Sequence, residues 1–260
     1  MLHFKPQISA VVCGASQGIG KQVALQFAQN QVRVLAVARN SNKLNELKKE
    51  MLSLSQLEHD VMSCDFTDSL DLEKLSRRIL KDSYQILICN SGGPKSGPLA
   101  LASVEELNLA FQSHVIANQK LVQCVLPAMK AAQWGRIINI ISTSVKMPIP
   151  NLGVSNTIRG AVAQWSKTLS LELGPLNITV NNVLPGYTAT ERLDELINAA
   201  ASNSNKSFEA VAEEWKSKVP LKRFARADEV ASAVSFLCSN NADYISGINL
   251  PVDGGRTGTL

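Results

Sequence analysis

The chain has 260 residues, 45% of them hydrophobic, 18% charged and 5% aromatic, with a formal charge of +4. This is an ordinary globular composition, which excludes a disordered or collagenous chain. The charge is mild, no long Lys/Arg run is present, and no stretch approaches the roughly 20 apolar residues of a membrane span, so neither nucleic acid nor a bilayer is an expected partner.

In chain order, short apolar runs rich in β-branched residues alternate with helical periodicity. The runs cover residues 8–13, 32–38, 85–90, 136–142 and 178–184, with weaker candidates at 57–64 and 245–252. Helical patterns fill 19–30, 43–54, 69–81, 104–132, 151–173 and 228–238. Several runs are apolar almost throughout, as strands buried on both faces of a parallel sheet are. Strand and helix in alternation predict one α/β domain over residues 1–260. Its expected core is a Rossmann-like, doubly wound parallel sheet of about seven strands with helices on both faces. Residues 188–218 break the rhythm with two helical patterns around a polar centre, which predicts either a substrate lid or a passive surface excursion.

The five cysteines, Cys13, Cys64, Cys89, Cys124 and Cys238, are scattered and form no CxxC. This predicts reduced, buried thiols in a cytoplasmic protein. His3, His59 and His114 are too far apart in sequence for a metal motif, so no metal site is expected. The first residues show no basic segment followed by a long apolar one, so no secretory leader is expected.

The motif "CGASQGIG" follows the first run and opens the first helix, placing Gly14, Gly18 and Gly20 as G-x-x-x-G-x-G. Glycines there let the backbone turn tightly and approach a pyrophosphate, and the helix supplies amide donors and a positive dipole end. The second run ends "VLAVARN", with Arg39 near the place where an acidic residue would take an adenosine ribose hydroxyl. Arginine suits a 2′-phosphate, which favours NADP(H) over NAD(H).

At these residues the chain resembles the short-chain dehydrogenase/reductase family, and the resemblance spans nearly the whole length. "CGASQGIG" is similar to the family's TGxxxGIG, with Ser16 and Ile19 beside its glycines. "CDF" places Asp65 at the adenine, "CNSGG" resembles NNAG and brings Asn90 and Gly92, "LPGYTAT" resembles the PG motif with Pro185, Gly186 and Thr188, and "ISGINLPVDGG" resembles ITGxxxxVDGG. The nearest members are 3-oxoacyl-carrier-protein-reductase-like. The resemblance implies an oxidoreductase acting on a carbonyl or acyl thioester, assembled as a homotetramer or homodimer on residues 104–132 and 151–173, where Trp165 would suit an interface and equally well the core. It also implies a catalytic Asn, Ser, Tyr and Lys. Ser142 in "NIIS" matches the serine, but the other places read His114, Ser155 and Arg159.

These changes matter chemically. A serine hydroxyl is a far weaker acid than a phenol and too short to reach the same point. Arg159 can clamp the nicotinamide ribose but exchanges no proton. His114, Lys146 or a water held by Ser142 and Ser155 remain as proton sources. Two functions therefore stand open: an oxidoreductase with a remodelled proton relay, or a catalytically silent protein that binds NADP(H) or a metabolite as a sensor or scaffold.

Overall fold

Five apolar runs become buried strands: β1 (Ser9–Cys13), β2 (Arg33–Ala38), β4 (Ile86–Cys89), β5 (Gly135–Ile140) and β6 (Ile178–Pro185). The computed structural model describes residues 2–259, so the two ends of the expected domain, residues 1 and 260, lie outside the described residues. β3 (Asp60–Ser63) and β7 (Asn249–Val252) are shorter and close the two edges. All strand pairs are parallel, in the order β3-β2-β1-β4-β5-β6-β7. Pro251 lies within β7, a place open to proline because an edge strand leaves some amides unpaired.

Alternate strand residues face opposite layers. Ala10, Val12, Val34 and Ile88 pack under α1 (Gly18–Gln29), α2 (Ser41–Leu54) and α9 (Ala227–Cys238), where Phe27, Leu44 and Val234 meet them. Val11, Cys13, Leu35 and Leu87 point the other way, towards α3 (Ser69–Asp82), α5 (Ala117–Ala132) and α6 (Gly153–Leu173), with Leu75, Val125 and Leu173. Each fully buried side chain of this size contributes roughly 1.5–3 kcal/mol. All five cysteines are free and buried within these layers. No helix among the described residues is long and apolar enough to cross a membrane.

The expected helix at 104–132 is not one regular element. α4 (Val104–Phe111) passes into a π-helical turn at Gln112–Ile116, and α5 follows without a break. A π-turn inserts one residue into the helical ladder and needs no Gly or Pro, so periodicity does not announce it. The turn carries His114. Gly153 opens α6 at a crossing where an added Cβ would collide with the Leu99 backbone. Gly97 N donates to Asn151 O at 2.7 Å and Gly153 N donates to Gly97 O at 3.0 Å, which pins the 94–102 loop to the head of α6. Residues 188–218 contain α7 (Glu191–Ser204) and α8 (Phe208–Ser217), which pack on one another through Leu193, Ile197 and Val211.

Candidate active site

A cleft of about 850 Å³ opens along the carboxyl ends of β1, β2, β4, β5 and β6. The β1–β4 boundary, where the strand order reverses, lies at its centre, the place where open α/β sheets bind ligands. Gly14 there has φ +61°, and an added Cβ would meet Asn90 O at 2.6 Å. A Cβ on Gly20 would collide with the Gly14 carbonyl. Asn90 Nδ2 donates to that same carbonyl at 3.2 Å, locking the loop to the end of β4. Gly18 has φ +55° and lies under the Thr190 methyl, 3.1 Å from where its Cβ would be. Whereas Asn40 and Asp68 cap α2 and α3, no side chain caps α1. Its first amides are left to face the cleft, which suits a pyrophosphate.

The adenosine end combines Arg39, Asp65 and Ser16. Arg39 is exposed at the tip of β2. Asp65 Oδ1 accepts from Thr67 N at 2.9 Å and Thr67 Oγ1 at 2.7 Å. Those bonds hold its carboxyl below the usual range, and the Arg39 charge adds to them. Ile19, Gly92, Pro185 and Gly186 also line the cleft, and Gly186 lies tight against Asp253, leaving no room for a Cβ.

Ser142, Ser155 and Arg159 converge at the other end. The four-residue step on α6 places Arg159 Nε 3.2 Å from Ser155 Oγ, to which it donates. Its Nη1 donates to Ile140 O at 3.2 Å. Burial, with the Arg192 charge nearby, pulls this guanidinium down to about 10, which leaves it cationic at neutral pH. Ser142 Oγ accepts from Ser144 N at 3.1 Å at the end of β5. Lys146 does not line the cleft.

His114 also stands back from the cleft wall. It is buried on the π-turn, 2.9 Å from Ser91 Oγ through Nδ1, and Ser91 is the residue that lines the cleft. Burial, reinforced by Arg159, pushes its pKa down to about 3, so the ring is neutral and is no imidazolium acid. This group contributes stability that is fully present above the unfolded value near 6.5 and is lost as pH falls towards 3. His114→Asn should flatten the acid limb of the unfolding free energy against pH, taken from urea melts, by up to about 1.4 kcal/mol per pH unit. An unchanged limb would mean that the ring already protonates in the folded state.

Thr188, expected from the sequence, lines the cleft but is buried, with its hydroxyl turned inward to Gly186 O at 3.2 Å. Other cleft residues escaped sequence reasoning. Thr190 lies over the glycine loop, and the repeated T-x-T of "TAT" was the available signal. Arg192, in the first turn of α7, crosses the cleft and donates to Pro94 O at 2.6 Å. Lys43 bonds both Gln17 and Glu191 at 2.7 Å, tying the glycine loop to the head of α7. Of the three tyrosines, Tyr84 is in the core, Tyr244 is on the surface, and Tyr187 lines the cleft, stacked on Trp215 at 4.8 Å.

The family model described as Enoyl-(Acyl carrier protein) reductase matches residues 14–257. The chain is a short-chain dehydrogenase/reductase. It is 30% identical over 250 residues to the NADPH-dependent reductase BacG of Bacillus subtilis (strain 168), covering 95% of this chain and 96% of that protein. L-xylulose reductase of Caenorhabditis elegans is 31% identical over 248 residues, 94% of each chain. Among solved structures, L-sorbose reductase from Gluconobacter frateurii complexed with NADPH and L-sorbose superposes with a TM-score of 0.93 at 26% identity, covering 100% of both chains. This short-chain dehydrogenase/reductase therefore shares its full architecture with a reductase.

Proposed function

We propose that the protein uses NADP(H) to reduce the carbonyl group of a small molecule or acyl thioester, at a site where Ser142, Ser155 and Arg159 replace the usual tyrosine-centred set. The observation that carries this reading is the continuity of one cleft from the glycine cradle and Arg39 to the Arg159–Ser155 pair. Gly14, Ser16, Gly18, Ile19 and Gly20 shape the phosphate cradle, Arg39 takes the 2′-phosphate, and Asp65, Asn90, Gly92, Pro185, Gly186 and Thr188 form the remaining walls. Bound there, the cofactor supplies the hydride.

Ser155 Oγ accepts from Arg159, so its own proton is free to point into the cleft, and the cationic donor polarises it. Ser155 and Ser142 then hold the substrate oxygen. Arg159 offsets the charge that develops on it and clamps the ribose, without losing a proton. His114 acts as a neutral hydrogen-bonding group that positions Ser91. α7 and α8 form a lid over the nicotinamide end, with Lys43–Glu191 and Arg192–Pro94 as its attachments. The exposed Val104, Leu109, Phe111 and Ile116 on the α4–α5 face support a homodimer or homotetramer, and the reduced thiols support a cytoplasmic setting.

The test follows NADPH oxidation against a panel of ketones and acyl thioesters, beside nucleotide binding by fluorescence quenching. Turnover of a panel member supports the reading; tight binding with no turnover identifies the silent binding protein instead. Arg39→Asp should lower the NADPH-over-NADH affinity ratio by about 100-fold, since it removes a fork for the phosphate and adds a repelling charge. An unaltered ratio would sink that assignment.

A further inference from the structure

The nicotinamide end of the cleft carries an unusual charge balance. Arg159, Arg192 and Arg256 line it, and Glu195 is the carboxylate among its lining residues. Glu195 is already taken by Arg192 Nη1 at 3.1 Å. Arg256 lies over the Tyr187 ring at 4.3 Å and donates to its hydroxyl at 3.2 Å. Arg159 forms no ion pair with any carboxylate among the described residues; its bonds go to a hydroxyl and a carbonyl. A guanidinium this enclosed without a counter-ion is costly to keep unless an anion joins it.

A dinucleotide does not supply that anion here. Its phosphates belong at the glycine cradle and at Arg39, and the nicotinamide and its ribose bring no negative charge to this end. Arg159 of α6 and Arg192 of α7 line the same cleft, and the charge of one acts on the other. The same lining presents apolar side chains, among them Ile149, Leu193, Leu196 and Trp215. A single-charged head on an apolar body matches that mixture.

We propose that Arg159 and Arg192 form a carboxylate site and that the substrate is a small apolar oxo acid, its carboxylate held between the two guanidinium groups. The proposal rests on the dinucleotide reading of the cleft for the placement of its reacting carbon. The site itself is a property of the two arginines.

The experiment measures binding by calorimetry, with and without NADP+, of 4-methyl-2-oxopentanoate and 4-oxopentanoate, each beside its methyl ester. At least one acid should bind about ten- to hundredfold more tightly than its ester. Arg192→Leu should remove that acid-over-ester preference, read as a ratio within each variant so that any loosening of the Arg192–Pro94 contact cancels, and Arg192→Lys should restore part of it. Circular dichroism confirms that each variant is folded. Esters that bind as well as the acids overturn the proposal. So does an acid preference that survives Arg192→Leu, or an Arg192→Leu variant whose principal loss is NADP+ affinity, which would assign Arg192 to the cofactor phosphates. Failure of NADP+ binding with the acid preference intact would overturn the dinucleotide reading and leave the carboxylate site standing.

Discussion

Gly20→Ala is expected to weaken NADPH binding by at least about 100-fold, roughly 2.7 kcal/mol, with a smaller loss of thermal stability. The added Cβ collides with the Gly14 carbonyl and lies 2.8 Å from Asn90 Nδ2. The first obstacle is main chain, which has no rotamer to change. The loop must therefore open, and the amides at the head of α1 move with it. The same displacement breaks the Asn90–Gly14 bond that ties the cradle to β4. Gly160→Ala is the matched control: it lies in α6, and nothing stands within 4 Å of its added Cβ. It should be neutral or stabilising by about 0.5–1 kcal/mol, from the helix preference of alanine over glycine. Fluorescence titration with NADPH and thermal melts of both variants check this. Wild-type affinity in Gly20→Ala would show that the cofactor does not lie on this loop.

Much of this could be read from the sequence, for reasons that differ by element. β1, β2, β4, β5 and β6 are buried on both faces, so burial leaves a run of apolar residues and the run marks the strand. β3 and β7 are edge strands with partly exposed residues, and their signals were correspondingly weak. The π-turn at Gln112–Ile116 left no mark, because the residues of α4 and α5 suit a helix on either side of it. The glycine cradle and the Ser155–Arg159 step were legible because local spacing defines them. The placement of His114 behind Ser91 was not, since it depends on where the end of β4 meets the π-turn. Arg192 was equally hidden: its partner Pro94 is 98 residues away in the chain. Nor does any sequence period reveal that Arg159 has no carboxylate partner among the described residues. That depends on the whole cleft.

On the proposed reading of the site, installing a tyrosine and a lysine at 155 and 159 should have the largest effect on rate. The double variant Ser155→Tyr/Arg159→Lys is expected to raise NADPH-dependent ketone reduction about 100-fold over the parent protein, the scale of a positioned general acid. Ser155 lines the cleft on a buried turn of α6, so a phenol there extends into the space above Ser142. A lysine four residues on would lower the phenol from its ordinary value near 10, as a nearby cation does. Reduction needs the protonated phenol, so the rate of the double variant should fall as pH rises through that lowered value. The parent should lack this limb, because Arg159, though drawn down to about 10, stays charged throughout the neutral range. Arg159→Lys alone keeps a cation but adds no acid, and should give no gain. Steady-state rates from pH 6 to about 10 separate these outcomes. A double variant that folds, binds NADPH and is no faster than the parent would mean one of two things. Either residue 155 does not face the reacting oxygen, or proton delivery does not limit the reaction. A phenol that titrates in ultraviolet difference spectra without a rate gain would select the second: the phenol would be in place, and the slow step would lie in a conformational change or in product release.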